Sequence, residues 1–203
     1  MSQGYLKLIL GPMFSGKTSE IIALYRRYIH SGRKVMVINY AGDTRYSATH
    51  LSTHDKQMIH CYMINNLKDV YENADYKDKD GNITPILSVF NDSDVILINE
   101  GQFFNDIVDT VIEWVEKYNK KVYICGLDGD SNRSLFGKLY CLFPFADEII
   151  KLNSICASCK DGTFAPFTKR IIDNSNGAVI QIGSDEYIPV CRKCYNSDNL
   201  YAF

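Results

Sequence analysis

The chain reads as an α/β protein: a mostly parallel sheet flanked by helices, followed by a small metal-binding unit at the C-terminal end. Three observations predict this. Continuous apolar runs such as DVILINE (Asp94–Glu100) and KVYICGL (Lys121–Leu127) have the composition of parallel strands buried on both faces. They alternate with segments of helical spacing, and strand–helix alternation implies right-handed crossovers. After Asn153 the composition changes, and four of the seven cysteines fall there as two C-x-x-C pairs.

The elements follow in order. Leu6–Leu10 is a strand that stops at Gly11. A helix runs from Lys17 to about His30, with Ile21, Ile22, Tyr25, Tyr28 and Ile29 on one face and Gly32 as its stop. KVMVINY (Lys34–Tyr40) is a second strand, and INNLKDVYENA contains a short helix. DYKDKDGNITP is a polar turn cluster on the surface. After the strand Asp94–Glu100, the segment Asp106–Tyr118 has helical spacing through Ile107, Val111, Trp114 and Val115. Lys121–Leu127 is a buried strand and EIIKLN (Glu148–Asn153) a last one. The length, 203 residues, suits one α/β core plus an appendage. The expected division is 1–152 and 153–203.

Composition excludes several roles. Net charge is −2, from 22 basic and 24 acidic residues, and no basic stripe marks a nucleic-acid surface. No apolar run approaches the roughly 20 residues that span a bilayer, and MSQGYLKLIL lacks a signal-peptide layout. An odd, uneven set of cysteines suits a reducing compartment, so the expected location is the cytosol, with no membrane partner.

Two stretches carry chemistry. GPMFSGKT (Gly11, Pro12, Met13, Phe14, Ser15, Gly16, Lys17, Thr18) fits G-x-x-x-x-G-K-[ST] at every fixed position, between a strand and a helix. Such a loop turns its N–H groups on phosphates, its lysine reaches the β- and γ-phosphates, and its threonine hydroxyl can ligate Mg²⁺. The helix N-terminus adds partial positive charge. ILINEGQFF ends a strand with Asn99-Glu100, where a strand tip points a carboxylate at a γ-phosphate and an acceptor hydroxyl, as a general base requires. At the C-terminal end, CASC (Cys156, Cys159) and CRKC (Cys191, Cys194) supply four thiolates for tetrahedral zinc. A redox pair is the rival, but one C-x-x-C would suffice for it, and neither is expected to follow a strand. Cys61, Cys125 and Cys141 are isolated, and Cys125 reads as a small buried hydrophobe.

These residues carry a resemblance. GPMFSGKT, DTRY (Asp43–Tyr46), THD (Thr53–Asp55), EGQFF (Glu100–Phe104), LDG (Leu127–Gly129) and VCRKCY (Val190–Tyr195) occur in the order found in the small zinc-containing thymidine kinases of animals, bacteria and poxviruses, and the similarity runs from Leu6 to Tyr195. The resemblance implies a RecA-like P-loop kinase domain and a C-terminal zinc domain with a lasso loop. It implies transfer of the γ-phosphate of ATP, with Mg²⁺, to the 5′-hydroxyl of thymidine. Glu100 matches the catalytic base. Gly11–Thr18, Asp43, Arg45, Asn99 and Gln102 match the ATP site, with Thr18 and Asn99 nearest Mg²⁺. Met13, Phe103, Leu127, Ser131 and Phe136 match the thymine pocket. The lasso maps to 164–187, with Ile180, Gln181, Ile182 and Gly183 reading the base edge and Tyr187 near the sugar. The family also implies a homotetramer and feedback inhibition by thymidine triphosphate.

The chain departs from the family in three places. Asn99 stands where an Asp is usual, which removes a charge but keeps an acceptor near the metal. Ser131 stands where relatives often carry an aromatic residue. The polar stretch from about Asp75 to Ser93 is longer than usual and reads as a surface insertion. Two other readings compete: an NTPase that turns over without an acceptor, and a degenerate kinase kept as a zinc-ribbon binding module. No N-K-x-D guanine motif favours the first.

Overall fold

The structure, a computed structural model, describes residues 3–43, 50–52, 58–72, 75–77, 81–171 and 186–197. β1 (Tyr5–Leu10) leads through the glycine-containing loop into α1 (Lys17–His30), and β2 (Val35–Tyr40) follows. A hairpin of β3 (His50–Ser52) and β4 (Met58–His60) precedes β5 (Tyr62–Ile64) and α2 (Asp69–Glu72). A second hairpin, β6 (Tyr76–Lys77) and β7 (Ile83–Thr84), runs into α3 (Ile86–Asp92) and then β8 (Val95–Ile98). α4 (Ile107–Glu116), β9 (Lys121–Gly126) and β10 (Glu148–Lys151) complete the larger part. The C-terminal part holds β11 (Ser154–Ile155), β12 (Phe164–Ala165), β13 (Phe167–Arg170), β14 (Tyr187–Val190) and α5 (Arg192–Asn196).

Six strands form one sheet in the order β10-β1-β9-β8-β2-β5, and every pair in it is parallel. Parallel pairing has one consequence for function: all strands finish at the same edge. The tips of β1, β9, β8 and β2 therefore deliver Gly11, Leu127, Asn99-Glu100 and residues 41–43 to one crevice, where ligands of open α/β sheets bind.

The pleat sorts the apolar residues between two layers. Leu6, Leu8, Ile96, Ile98, Val122 and Ile124 face the layer of α2, α3 and α4. Ile9, Val37, Val95, Leu97 and Cys125 face α1. Of the expected face of α1, Ile21 and Ile22 are buried and Tyr25 and Tyr28 pack partly against the sheet. Ile29 is instead 46% exposed and Leu24 is buried. The stripe that reaches the sheet runs Ile21, Leu24, Tyr25, Tyr28, at spacings i, i+3, i+4, i+7, and Ile29 falls off it. α4 behaves as expected, with Ile107, Val111 and Trp114 fully buried.

The segment from Asp75 to Ser93 is more than a surface insertion. α3 buries Ile86 and Phe90 in the main core, and the Phe90 ring lies 5.1 Å from that of Trp114. The end of α3 is held by Lys120, a lysine only 8% exposed. Its ammonium donates to the carbonyls of Phe90 (2.8 Å), Asn91 (3.1 Å) and Ser93 (2.7 Å). Carbonyls at a helix C-terminus lack intrahelical partners, and a cation there also complements the dipole. Lys120→Met keeps the apolar stem and removes the ammonium, leaving the Phe90 carbonyl only the Ser93 N–H. It should lower the unfolding free energy by about 2–4 kcal/mol in urea titrations, while a loss under about 0.5 kcal/mol would make the contact incidental.

Candidate active site

The loop between β1 and α1 has the backbone of a phosphate cradle. Gly11 has φ +150°, and a Cβ there would lie 2.6 Å from the Leu152 carbonyl oxygen, so only glycine fits beside β10. Phe14 (φ 61°) and Gly16 (φ 85°) take left-handed conformations, and Gly16 caps α1. The Pro12 carbonyl accepts from Lys17 Nζ (2.6 Å) and Ser15 Oγ (2.9 Å), which holds the lysine over the loop. Thr18 sits in the first turn of α1, half-buried. Behind the loop Cys125 donates its thiol hydrogen to the Lys17 carbonyl at 3.2 Å. Burial raises the pKa of Cys125, so it stays a thiol and a packing residue.

At the tip of β8 the chain turns sharply. Glu100 adopts φ 55°, ψ 40°, the left-handed region, at the start of a short 3₁₀ turn, Gly101–Phe103. A non-glycine residue held there is strained, and such strain concentrates where a side chain must be aimed. Gln102, 3% exposed, donates from Nε2 to Glu100 Oε2 at 2.6 Å and accepts from the Leu127 N–H at 3.0 Å.

Asn99 is also 3% exposed, and its Nδ2 donates to Asn39 Oδ1 at 3.0 Å. Asn39 passes a longer contact, 3.4 Å, on to Asp43 Oδ2. A buried polar chain thus joins the tips of β8 and β2. Asn39 was not singled out from the sequence. Its signal was a polar residue inside the apolar run VINY.

The expected pocket walls come together only in part. Phe103 and Phe136 meet edge to face with centroids 5.4 Å apart. Tyr40, by sequence an ordinary strand end, stacks on Phe103 at 5.1 Å. Leu127 is half-buried beside Gln102. Several contacts tie this region to the C-terminal part. The Met13 N–H donates to Thr168 Oγ1 of β13 (3.0 Å), and Tyr195 Oη donates to the Ser131 carbonyl (2.6 Å). The Arg133 guanidinium lies 4.1 Å from the centre of the Tyr195 ring. Tyr187 opens β14 opposite Arg170, whose guanidinium sits 5.9 Å from its ring and pairs with Glu186. Arg45, Ile180, Gln181, Ile182 and Gly183 lie outside the described residues.

Cys156, Cys159, Cys191 and Cys194 converge, with all four sulfurs within 4.8 Å of one another. Cys159 Sγ lies 3.5 Å from Cys194 Sγ and 3.8 Å from Cys191 Sγ. A tetrahedral site with bonds of about 2.3 Å puts sulfurs roughly 3.8 Å apart, so the spacing fits a metal and is far too long for disulfides. Backbone N–H groups of Cys159 and Cys191 point at Cys156 Sγ, and that of Cys194 at Cys191 Sγ. Burial works against ionisation of Cys156, but these N–H groups outweigh it and bring its pKa down to about 7. Contrary to the sequence expectation, both pairs follow strands, β11 and β14. The redox reading fails on the convergence instead, since a redox pair needs no second pair. The four-cysteine group can hold a structural metal.

Comparison with known proteins agrees with this geometry. The sequence model of the thymidine kinase family matches residues 4–195. The cytosolic thymidine kinase of Gallus gallus is 37% identical over 193 residues, covering 95% of this chain and 77% of that protein. Thymidine kinase 1 of Dictyostelium discoideum is 38% identical over 199 residues, 96% of this chain and 79% of that protein. The thymidine kinase of fowlpox virus is 36% identical over 203 residues, 98% of this chain and all of that protein. The match spans the phosphate-loop motif, the Glu100 turn and both cysteine pairs, and the chain belongs to the thymidine kinase family.

Proposed function

We propose that the protein transfers the γ-phosphate of ATP to the 5′-hydroxyl of thymidine, giving thymidine monophosphate. The observation that carries this reading is the position of Glu100. A carboxylate in a strained turn at the tip of β8 shares one sheet edge with a G-x-x-x-x-G-K-T loop. In this reading residues 11–18 hold the phosphates, with Lys17 drawing charge off the β- and γ-oxygens. Asp43 and Arg45 belong to the nucleotide side. Glu100 takes the hydroxyl proton as the acceptor oxygen attacks the γ-phosphorus and ADP departs with the electron pair. Tyr40, Phe103, Phe136, Met13 and Leu127 form an apolar slot suited to a flat base, with Ser131 at its rim. Residues 164–187 cover the nucleoside, with 180–183 on the base edge and Tyr187 by the sugar. The four cysteines hold Zn²⁺, and residues 1–152 and 153–203 form two domains. Thymidine triphosphate as inhibitor, a homotetramer and a cytoplasmic location complete the reading. No helix among the described residues is long and apolar enough to cross a membrane.

Purified protein given MgATP and thymidine tests this. Thymidine monophosphate should form in proportion to ADP. ADP formed equally without thymidine would indicate an acceptor-independent NTPase, and no turnover a degenerate kinase.

Thr18 and Asn99 would hold the Mg²⁺ that accompanies ATP, Asn99 through an amide oxygen where relatives have a carboxylate. Mg²⁺ takes only one or two protein oxygens beside phosphates and waters, so the amide is compatible with activity. Asn99→Asp should lower the free Mg²⁺ needed for half-maximal rate, by about 1 kcal/mol of metal affinity. The gain is opposed by loss of the Asn99 donor to Asn39. A Mg²⁺ titration of both proteins at fixed ATP and thymidine decides, and coincident curves would remove Asn99 from the metal site.

A further inference from the structure

The family resemblance groups Gln102 with the nucleotide contacts, but its side chain is engaged elsewhere. Leu127 N–H needs an acceptor and the Glu100 carboxylate needs a donor, so the amide has one sensible orientation: Oε1 to Leu127 and Nε2 to Glu100. The residue is buried and closely packed. A Cβ on Gly126 would stand 2.8 Å from Gln102 Oε1 and 2.2 Å from Leu139. A Cβ on Gly137, which has φ +65°, would stand 2.0 Å from the Gln102 carbonyl oxygen. Gly126, at the end of β9, thus clears space for this side chain, and Gly137, in the loop beyond it, for the backbone that carries it.

Resting on the reading of Glu100 as base, we propose that Gln102 is its positioning residue. The amide holds one oxygen of a carboxylate whose own backbone is strained, and fixes it relative to Leu127, a wall of the nucleoside slot. Base and acceptor pocket are thereby locked in register through a single side chain. A misplacement of about 1 Å at a reacting group can cost roughly 100-fold in rate, which sets the scale of what the contact protects.

The test is a double-mutant cycle with the whole protein, read as steady-state kinetics with thymidine and MgATP. Gln102→Met removes both hydrogen bonds at similar volume. It should lower kcat by about 10–100-fold with KM for ATP within about threefold. Against a Glu100→Gln background the same change should cost less than about threefold, because a positioning residue has nothing left to position. Gln102→Glu keeps the acceptor for Leu127 but sets a second carboxylate against Glu100, and should show the same non-additive loss. It is the deciding arm if Gln102→Met fails to fold, as judged by its melting curve and ATP binding. Equal losses in both backgrounds would make Gln102 a packing residue, and retained kcat with ATP KM raised more than about tenfold would make it a nucleotide contact; either overturns the proposal. Glu100→Gln alone reports on the underlying reading: if it costs less than about tenfold, the base assignment fails, whereas a damaged Glu100→Gln beside an intact Gln102→Met sinks only the positioning role.

Discussion

Glu100→Gln should lower kcat for thymidine phosphorylation by about 10²–10⁴-fold, the range for loss of a positioned general base, while ATP affinity stays within about threefold. The substitution is nearly isosteric and keeps an oxygen that can accept from Gln102 Nε2, so the 3₁₀ turn should persist. What disappears is the capacity to bind a proton at the moment the acceptor oxygen attacks. The phosphate loop is built from other elements, β1 and α1, which is why the effect should fall on turnover and not on the nucleotide. Single-turnover measurements with bound ATP separate the two, since they read the chemical step directly. A loss under tenfold would assign the proton to another group. A parallel loss of ATP binding would place Glu100 in the metal or phosphate site instead.

The strain at Glu100 supports this ordering. A left-handed non-glycine residue costs on the order of 1–3 kcal/mol and persists only where its surroundings over-determine it. Here the surroundings are the fully buried β8, the Gln102 bridge and the close approach of Gly101 to Ile124, where an added Cβ would lie 2.5 Å from a methyl carbon. An Asp or Asn would be easier to accommodate at such a φ. A glutamate at this position suggests that reach matters more than backbone comfort.

The larger strands were legible because a parallel strand buried on both faces has to be apolar throughout; Val95–Ile98 and Val122–Cys125 are buried in the structure. The sixth strand, Tyr62–Ile64, escaped detection because three residues at a sheet edge carry no periodicity. α3 reads as part of a surface insertion because it is only seven residues long and follows the polar cluster DYKDKDGNITP, and its C-terminal support, Lys120, comes from a distant segment. β11–β14 were missed for a related reason: a unit whose buried core is Cys156, Ala165, Val190 and Cys191 has almost no apolar pattern to display. In the site, Gly11–Thr18 and Glu100 were legible as local motifs. Asn39, Tyr40, Thr168 and Tyr195 were not, because each matters through a partner brought near only by the fold: Asn99, Phe103, Met13 and Ser131. The direction of the Gln102 side chain belongs to the same class.

That thin C-terminal core sets up the other large expected effect. Among the described residues an apolar core of four is too thin to hold two short strand pairs and a five-residue helix, whereas a structural Zn²⁺ contributes about 10–16 kcal/mol of apparent binding free energy that becomes folding free energy. Cys191→Ser strikes a ligand tied to two of the others. Its sulfur accepts from the Cys194 N–H, its backbone N–H donates to Cys156 Sγ, and it caps α5. On the proposed zinc assignment the variant should go from about one ion per chain to near none, and should lose thymidine binding with it. With α5 unmoored, Lys169 no longer finds the carbonyls of Tyr195 and Ser197, and the Tyr195 hydroxyl leaves Ser131. The nucleotide side should feel a smaller change. The Met13 N–H loses Thr168, one neutral hydrogen bond worth about 1 kcal/mol, or roughly fivefold in ATP affinity. Metal analysis and separate titrations with ATP and thymidine would register these three quantities independently. Protein purified without chelator that carries a stoichiometric disulfide and no metal would overturn the zinc assignment. A Cys191→Ser variant that still binds thymidine with native affinity would detach the metal from the acceptor site.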